Sequence, residues 1–239
     1  MTITSPHNEK LKEVRKLAAR RRARSESGRF VAEGEDLLAA ADAAGWVALE
    51  RLCADGSGLP GTPVAPELLA AISGLGSGTR TLAVYEERWA ERALGPLCVY
   101  LHGVHDPGNV GAVLRSAHAF GASCVALGPD CADPFSPKAV RASMGAVFAV
   151  PVARAAPRDL PGLRVALAAG EGVPIWEMGH ADPPGSVTLL VGAERTGLPA
   201  EVVEAADIVA HIPIATHSLN AAMAATVALY ETSRMARAK

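Results

Sequence analysis

IPIATHSLNAAMAATVALYE, residues 212–231, decides how this chain is read. An apolar strand runs into Pro213, a short loop carries Ser218, Leu219 and Asn220, and an Ala-rich run with few charges follows as a helix from Leu219 to Ala236. Such a strand-loop-helix unit brings polar side chains and the unpaired N–H groups of a helix start to the carboxyl end of a strand. Two more units of this form lie upstream. GAERTGLP, residues 192–199, follows the apolar TLLV, and HDPGNVGAVLRSAHAFGA, residues 105–122, follows LCVYLHGV.

Working outward, strands alternate with helices from Leu97 to the C-terminus: LCVYLHGV, a helix over 109–120, SCVALGP, the helix SPKAVRASMG, VFAVPVA, RVALAA, VTLLVG, the helix LPAEVVEAA, and DIVAHIPI before the last helix. Alternation of this kind predicts an α/β fold with a largely parallel sheet covered on both faces. In such sheets ligands collect at the carboxyl ends of the strands, and all three motif loops follow strands. The N-terminal part is a smaller α/β unit of a basic helix, GRFVAEG, EDLLAAADAAG, and a strand, helix and strand closing near Glu87. The expected organisation is residues 1–88 as an N-terminal domain, 89–96 as a polar linker ending in Gly95-Pro96, and 97–239 as the larger domain.

Composition bounds the function. With 239 residues, 49% of them hydrophobic, the chain can bury a sizeable core without staples. Cys53, Cys98, Cys124 and Cys131 show no CxxC spacing, and no charged-then-apolar leader opens the sequence, so a disulfide framework and secretion are not indicated; a cytoplasmic protein is expected. No apolar stretch approaches the roughly 20 residues needed to span a bilayer. The seven histidines, His180 and His217 included, form no metal-ligand spacing, so no metal is implied.

Net charge is −2, but the charge is unevenly spread. KLKEVRKLAARRRAR, residues 10–24, holds eight basic residues against one acid, with Leu11, Val14 and Leu17 at helical spacing. Its Lys10, Lys12, Arg15, Arg20, Arg21, Arg22 and Arg24 are candidate phosphate contacts, since cations along one edge release counterions on binding RNA. A solvated helix face is the plain alternative.

The three motifs, in this order, resemble the signatures of the SpoU (TrmH-like) RNA ribose 2′-O-methyltransferases of the SPOUT superfamily, over roughly residues 96–237. The resemblance implies S-adenosyl-L-methionine as cofactor, RNA (rRNA above tRNA) as substrate, a trefoil knot in the parallel domain, and a homodimer through the C-terminal domain whose partner helps complete each active site. It implies Arg115 as the catalytic residue with Asn109, Glu194, Ser218 and Asn220 around it. It further implies a cofactor site of Gly192, Ala193, Glu194, Gly197, Ile212, Ile214, Ser218, Leu219 and Asn220. RFVAEGEDLL looks like the substrate-binding domain at the N-terminus of rRNA-modifying members. FSPKAVRASMGAVFAVPV, residues 135–152, resembles the stretch between the first two motifs and places Lys138, Arg141 and Ser143 near the RNA backbone.

The residues read singly carry plainer roles as well. Asn109 sits at or near a helix cap, Ser218 is cap-like, Glu194 can pair with Arg195, and Gly192 and Gly197 suit a backbone pressed against a flat ligand. His217, where relatives often carry an acid, reads as loop variation. An arginine general base faces a high cost: a guanidinium pKa of about 13 makes its deprotonation at pH 7 worth about 8 kcal/mol. A charged Arg115 that donates to the ribose 2′-oxygen is the chemistry the residue favours. Two rivals stand against this reading. A Rossmann-type nucleotide enzyme would use Gly108 and Gly111 with Asp130 or Asp133, but GxGxxG is absent. A non-catalytic RNA-binding module would leave the intact motif set without a role.

Overall fold

The computed structural model describes residues 2–74, 78–178, 185–216 and 218–237; His180 and His217 lie outside them. From the N-terminus run α1 (Glu9–Ala19), α2 (Arg21–Ser27), β1 (Arg29–Glu33), α3 (Glu35–Ala43), β2 (Glu50–Ala54), β3 (Thr62–Val64), α4 (Pro66–Ile72) and β4 (Thr81–Glu86). Then come β5 (Trp89–Ala90), β6 (Leu97–Leu101), α5 (Pro107–Ala119), β7 (Cys124–Leu127), α6 (Pro137–Ala142), α7 (Ala146–Ala149) and β8 (Val152–Arg154). The remainder is β9 (Leu163–Leu167), β10 (Val173–Pro174), β11 (Val187–Val191), α8 (Ala200–Glu204), β12 (Ile208–His211) and α9 (Ala221–Arg237). By packing the chain forms two compact units, Met1–Glu87 with Asp133–Ala149, and Arg88–Ala132 with Val150–Lys239.

The first unit is a four-stranded sheet in the order β1-β4-β2-β3, antiparallel except for the β2–β3 pair. Successive strand residues point to opposite faces, and β1 shows both. Val31, opposite Val84, joins Leu11, Val14, Leu17, Leu69 and Ile72 from α1 and α4. Phe30, opposite Tyr85, joins an aromatic cluster with Trp46, Phe135 and Phe148. Phe135 and Phe148 come from the segment 133–149, which the sequence reading assigns to the larger domain. Trp46 donates its indole N–H to the Phe148 carbonyl at 2.9 Å, fixing the ring that the cluster surrounds.

The second unit is an eight-stranded sheet in the order β10-β12-β9-β11-β6-β7-β8-β5, parallel at every pairing. Its central strands β6, β7 and β11 are buried almost without interruption, as strands covered on both faces must be. β11 comes late in the chain yet lies between β6 and β9, so the second motif loop emerges at the middle of the sheet. α5 and α9 pack on each other, tied by a hydroxyl pair between Ser116 and Thr226 at 2.6 Å.

Several local expectations change. The basic helix is two helices, because Arg20 is extended and α2 starts afresh after it. VFAVPVA is not one strand: Ala146–Ala149 is helical, and the strand is Val152–Arg154. The expected linker 89–96 contains β5, paired with β8, and a buried Ala93. The last helix opens at Ala221, two residues later than read from sequence, and the strand before it ends at His211 rather than running into Pro213. No described helix is long and apolar enough to cross a membrane.

Candidate active site

The first motif loop leaves β6 and enters α5 at Pro107, whose fixed φ suits a first helical position. Its cap is Asp106, whose carboxylate accepts the Gly108 N–H at 2.5 Å. Asn109 is therefore not the cap but the third helical residue, with a side chain released for other work. That side chain donates to the Glu194 carboxylate in the second motif loop. Its carbonyl oxygen accepts from the Asn220 amide at 3.1 Å. Asn220 in turn caps α9, its side-chain oxygen accepting the N–H of Ala222 at 2.9 Å and of Met223 at 3.3 Å. Ser218 is exposed and does not cap the helix. One chain of side-chain bonds, Glu194 to Asn109 to Asn220, thus fastens all three motif loops together.

Against these loops lies a cavity of about 350 Å³, within the usual range for small-molecule sites. It sits at the carboxyl ends of β9, β11 and β12. Its walls include Gly192, Ala193, Glu194, Gly197, Ile212, Ile214, Ser218 and Leu219. Every residue expected to touch the cofactor lines it except Asn220, whose amide points to Asn109. Ala168 and Ala169 after β9 also line it and were missed, because that loop carries no motif. The position of β9 beside β11 was the signal, and it is visible in topology rather than in sequence. The second motif loop closes on itself: Gly197 donates its N–H to the Ala193 carbonyl at 2.9 Å. Gly192 has no room for a Cβ against the Gly197 and Leu198 backbone. Its smallness thus serves the turn as well as the cavity wall. Glu194 forms no ion pair with Arg195 among the described residues.

Arg115 stands apart. It is exposed on α5, does not line the cavity, and has no hydrogen bond or ion pair among the described residues, Asn109 included. Expected contact between Asn109 and Arg115 is absent, because Asn109 is committed to Glu194 and Asn220.

The candidate RNA contacts of the first unit divide sharply. Arg24 is 4% exposed. It binds the Asp133 carboxylate at 2.7 and 2.8 Å and the Leu17 carbonyl at 2.7 Å. Its charge is used inside the unit, so Arg24 is withdrawn as a phosphate contact. Lys10 pairs with Glu50 at 2.6 Å, Lys12 with Glu9 at 2.7 Å, and Arg22 with Glu26 at 2.6 Å, while Arg15 donates to the Pro6 carbonyl at 2.8 Å. Lys16, Arg20 and Arg21 are exposed with no side-chain partner among the described residues. Arg141 is likewise exposed and unpaired there, and Lys138 lies one turn before it on α6. Ser143 is fully buried, bonding the Val140 carbonyl at 2.7 Å and the Val147 N–H at 3.4 Å, so it cannot face RNA.

Comparison with known proteins agrees with this arrangement. The family model described as "SpoU rRNA Methylase family" matches residues 96–230. The 23S rRNA (guanosine(2553)-2′-O)-methyltransferase of Bacillus subtilis is 29% identical over 95% of this chain and 97% of its own. Against three mycobacterial tRNA/rRNA methyltransferases this chain spans half the relative's length. An AdoMet-bound rRNA methyltransferase from Sinorhizobium meliloti superposes with a TM-score of 0.87 at 31% identity, over 98% of this chain and 97% of that one. The SpoU methyltransferase AviRb of Streptomyces viridochromogenes, also with AdoMet, gives 0.82 at 26% identity over 97% and 99%. With more than half its length matched by the family model and its three motif loops joined through Glu194, Asn109 and Asn220, the chain belongs to the SpoU rRNA methylase family.

Proposed function

We propose that this protein methylates a ribose 2′-hydroxyl of ribosomal RNA, using S-adenosyl-L-methionine bound in the cavity beside the three motif loops. The observation that carries the reading is the bond chain Glu194–Asn109–Asn220, which starts from Glu194 in the cavity wall. The cavity suits the cofactor chemically. Ile212, Ile214 and Leu219 offer apolar faces to an adenine ring, the 192–197 backbone offers hydrogen bonds to its edge, and the Glu194 carboxylate favours a cationic ligand. When bound, the cofactor supplies an electrophilic methyl group on a sulfonium. Glu194 and Asn220 position Asn109, and through it the first turn of α5. Arg115, on the same helix, is the group we assign to the ribose: its guanidinium would donate to the 2′-oxygen and stabilise the negative charge that develops there as the hydroxyl proton passes to solvent. The N-terminal unit, with Lys16, Arg20, Arg21 and Arg141 exposed, holds the RNA. We further propose a homodimer through α9, whose Met223, Val227 and Tyr230 form an exposed apolar stripe at helical spacing. The trefoil knot belongs to the same family reading, and β11 lying between β6 and β9 is compatible with threading; we also propose a cytoplasmic location, in keeping with four free cysteines among the described residues.

The deciding experiment incubates the protein with methyl-labelled cofactor and unmodified rRNA, then digests the RNA with alkali. A labelled alkali-resistant dinucleotide is expected, since a 2′-O-methyl blocks cleavage at its own phosphate. Label confined to bases would overturn the assignment.

A further inference from the structure

The first unit contains a second cavity, of about 110 Å³, that the methyl-transfer chemistry does not use. Its walls are mostly apolar, with Val31, Leu37, Ile72 and Val140 among them; Ala18 of α1 forms one side, and Glu33 and Arg141 supply the polar groups. The Glu33 carboxylate is already engaged on one side. Its Oε1 accepts from the hydroxyls of Ser73 and Thr79, and its Oε2 accepts the Gly74 N–H at 2.9 Å. A carboxylate offers about four lone-pair positions, so Oε2 keeps one acceptor site in a group that lines the cavity. Across from it the Arg141 guanidinium lies over Gly74, 2.9 Å from where a Cβ would stand, without a hydrogen-bond partner among the described residues.

These features define an occupant. The carboxylate in the wall disfavours an anion beside it and calls for a ligand group that carries a donor. Apolar sides and a small volume suit one flat ring. One exposed cation stands at the wall itself, the Arg141 guanidinium. A neutral ring with an attached anionic chain is a nucleotide within RNA. Resting on the RNA-binding reading above, we propose that this cavity takes one unstacked, amino-bearing nucleobase of the substrate RNA. Its exocyclic amine donates to Glu33 Oε2, and its neighbouring phosphate meets Arg141. Uracil fits poorly, because keto oxygens flank its only ring N–H and would face the carboxylate.

The test uses the full chain and fluorescein-labelled 12-mers of cytidine, of uridine and of abasic ribose phosphate, titrated by anisotropy at one salt concentration. These share charge and length, and the first two differ at the 4-amino or 4-keto group. Cytidine RNA should bind about tenfold more tightly than uridine RNA, as expected for a charge-assisted hydrogen bond, and the abasic chain weakest of all. Ala18→Leu fills the cavity from a half-buried position and should bring all three probes to one affinity while the melting temperature stays unchanged. Arg141→Ala should weaken cytidine binding without erasing the preference for it. Equal affinities for cytidine and uridine RNA in the wild type, or a preference that survives Ala18→Leu, would overturn the pocket. Either result alongside intact methyl transfer to rRNA would leave the proposed function standing, whereas loss of that transfer in the wild type would remove both.

Discussion

At the scale of single residues, Asn109 takes on a different role from the one its sequence context suggests, while Arg115 stands free of it. Asn109 looks like a cap and is instead the joint between two other loops, because Asp106 does the capping. Arg115 has no protein partner among the described residues, which suits a group whose partner is the substrate. Arg115→Ala should lower the single-turnover methylation rate by about 10²- to 10³-fold, the usual loss for one transition-state donor. Cofactor affinity by calorimetry should stay within about twofold, since Arg115 does not line the cavity. Arg115→Lys should recover little, having lost the planar fork. Near-wild-type turnover in the alanine variant would return Arg115 to the solvated surface. A second residue pair makes a pH prediction. Asp207 accepts from the Arg164 side chain at 3.0 and 3.1 Å and from its backbone N–H at 2.8 Å, and these bonds hold the carboxyl below its ordinary range. A depressed carboxylate stabilises the fold above its unfolded-state pKa of about 3.9, and that contribution fades as pH falls through the lower folded value. Asp207→Asn should therefore melt earlier than wild type at pH 7, and the gap should narrow as pH falls below about 3.9. A gap that persists undiminished in acid would show that the carboxylate charge is not responsible.

At the scale of elements, the break at Arg20 reorganises the basic N-terminal run. One continuous helix would spread its cations along a face; two helices let Arg24 turn inward to hold α1 and the segment beginning at Asp133. What remains for RNA is the corner Lys16, Arg20 and Arg21, since Lys10, Lys12 and Arg22 already face acids. Replacing these three by alanine should lower the slope of log affinity against log salt by about 2, at about 0.7 per phosphate contacted in partly single-stranded RNA. Cofactor binding should be unaffected. Replacing Arg24 should act differently, destabilising the protein by about 3 kcal/mol, the low end for breaking a buried pair, because the largely covered Asp133 carboxylate then keeps only the Phe135 N–H. RNA titrations across salt, paired with chemical denaturation, separate the two outcomes; an unchanged slope in the triple variant would make that corner ordinary surface.

At the scale of the whole molecule, α9 is buried on one side through Ala221, Ala225, Ala228 and Leu229 while Met223 is 63% and Tyr230 51% exposed on another. A long helix that leaves large apolar groups in water is expected to cover them with a second copy. Light scattering should give twice the chain mass at micromolar concentration, and a Met223→Lys, Tyr230→Lys variant should give one mass with cofactor affinity retained. A wild type that is monomeric and fully active would dispose of the dimer.

What the sequence determined by itself was the order of its strands and helices in the larger unit, the three loops at strand ends, and hence the parallel sheet with a ligand site at its carboxyl edge. Hydrophobic runs and Gly/Pro punctuation are local signals, and parallel strands buried on both faces display them strongly. Tertiary structure decided everything that depends on partners far apart in the chain. Arg24 looks like its neighbours until Asp133, 109 residues on, is brought against it. Phe135 and Phe148 read as part of the parallel domain until Phe30 and Trp46 surround them. Gly192 reads as a glycine for a flat ligand until Gly197 and Leu198 fill the place of its Cβ, so that the turn needs it as well. Asn109 caps a helix on paper and binds Glu194 and Asn220 in the fold. In each case the side chain's chemistry was legible, but its free energy is set by burial and by which group stands opposite, and neither is a property of the local stretch of chain.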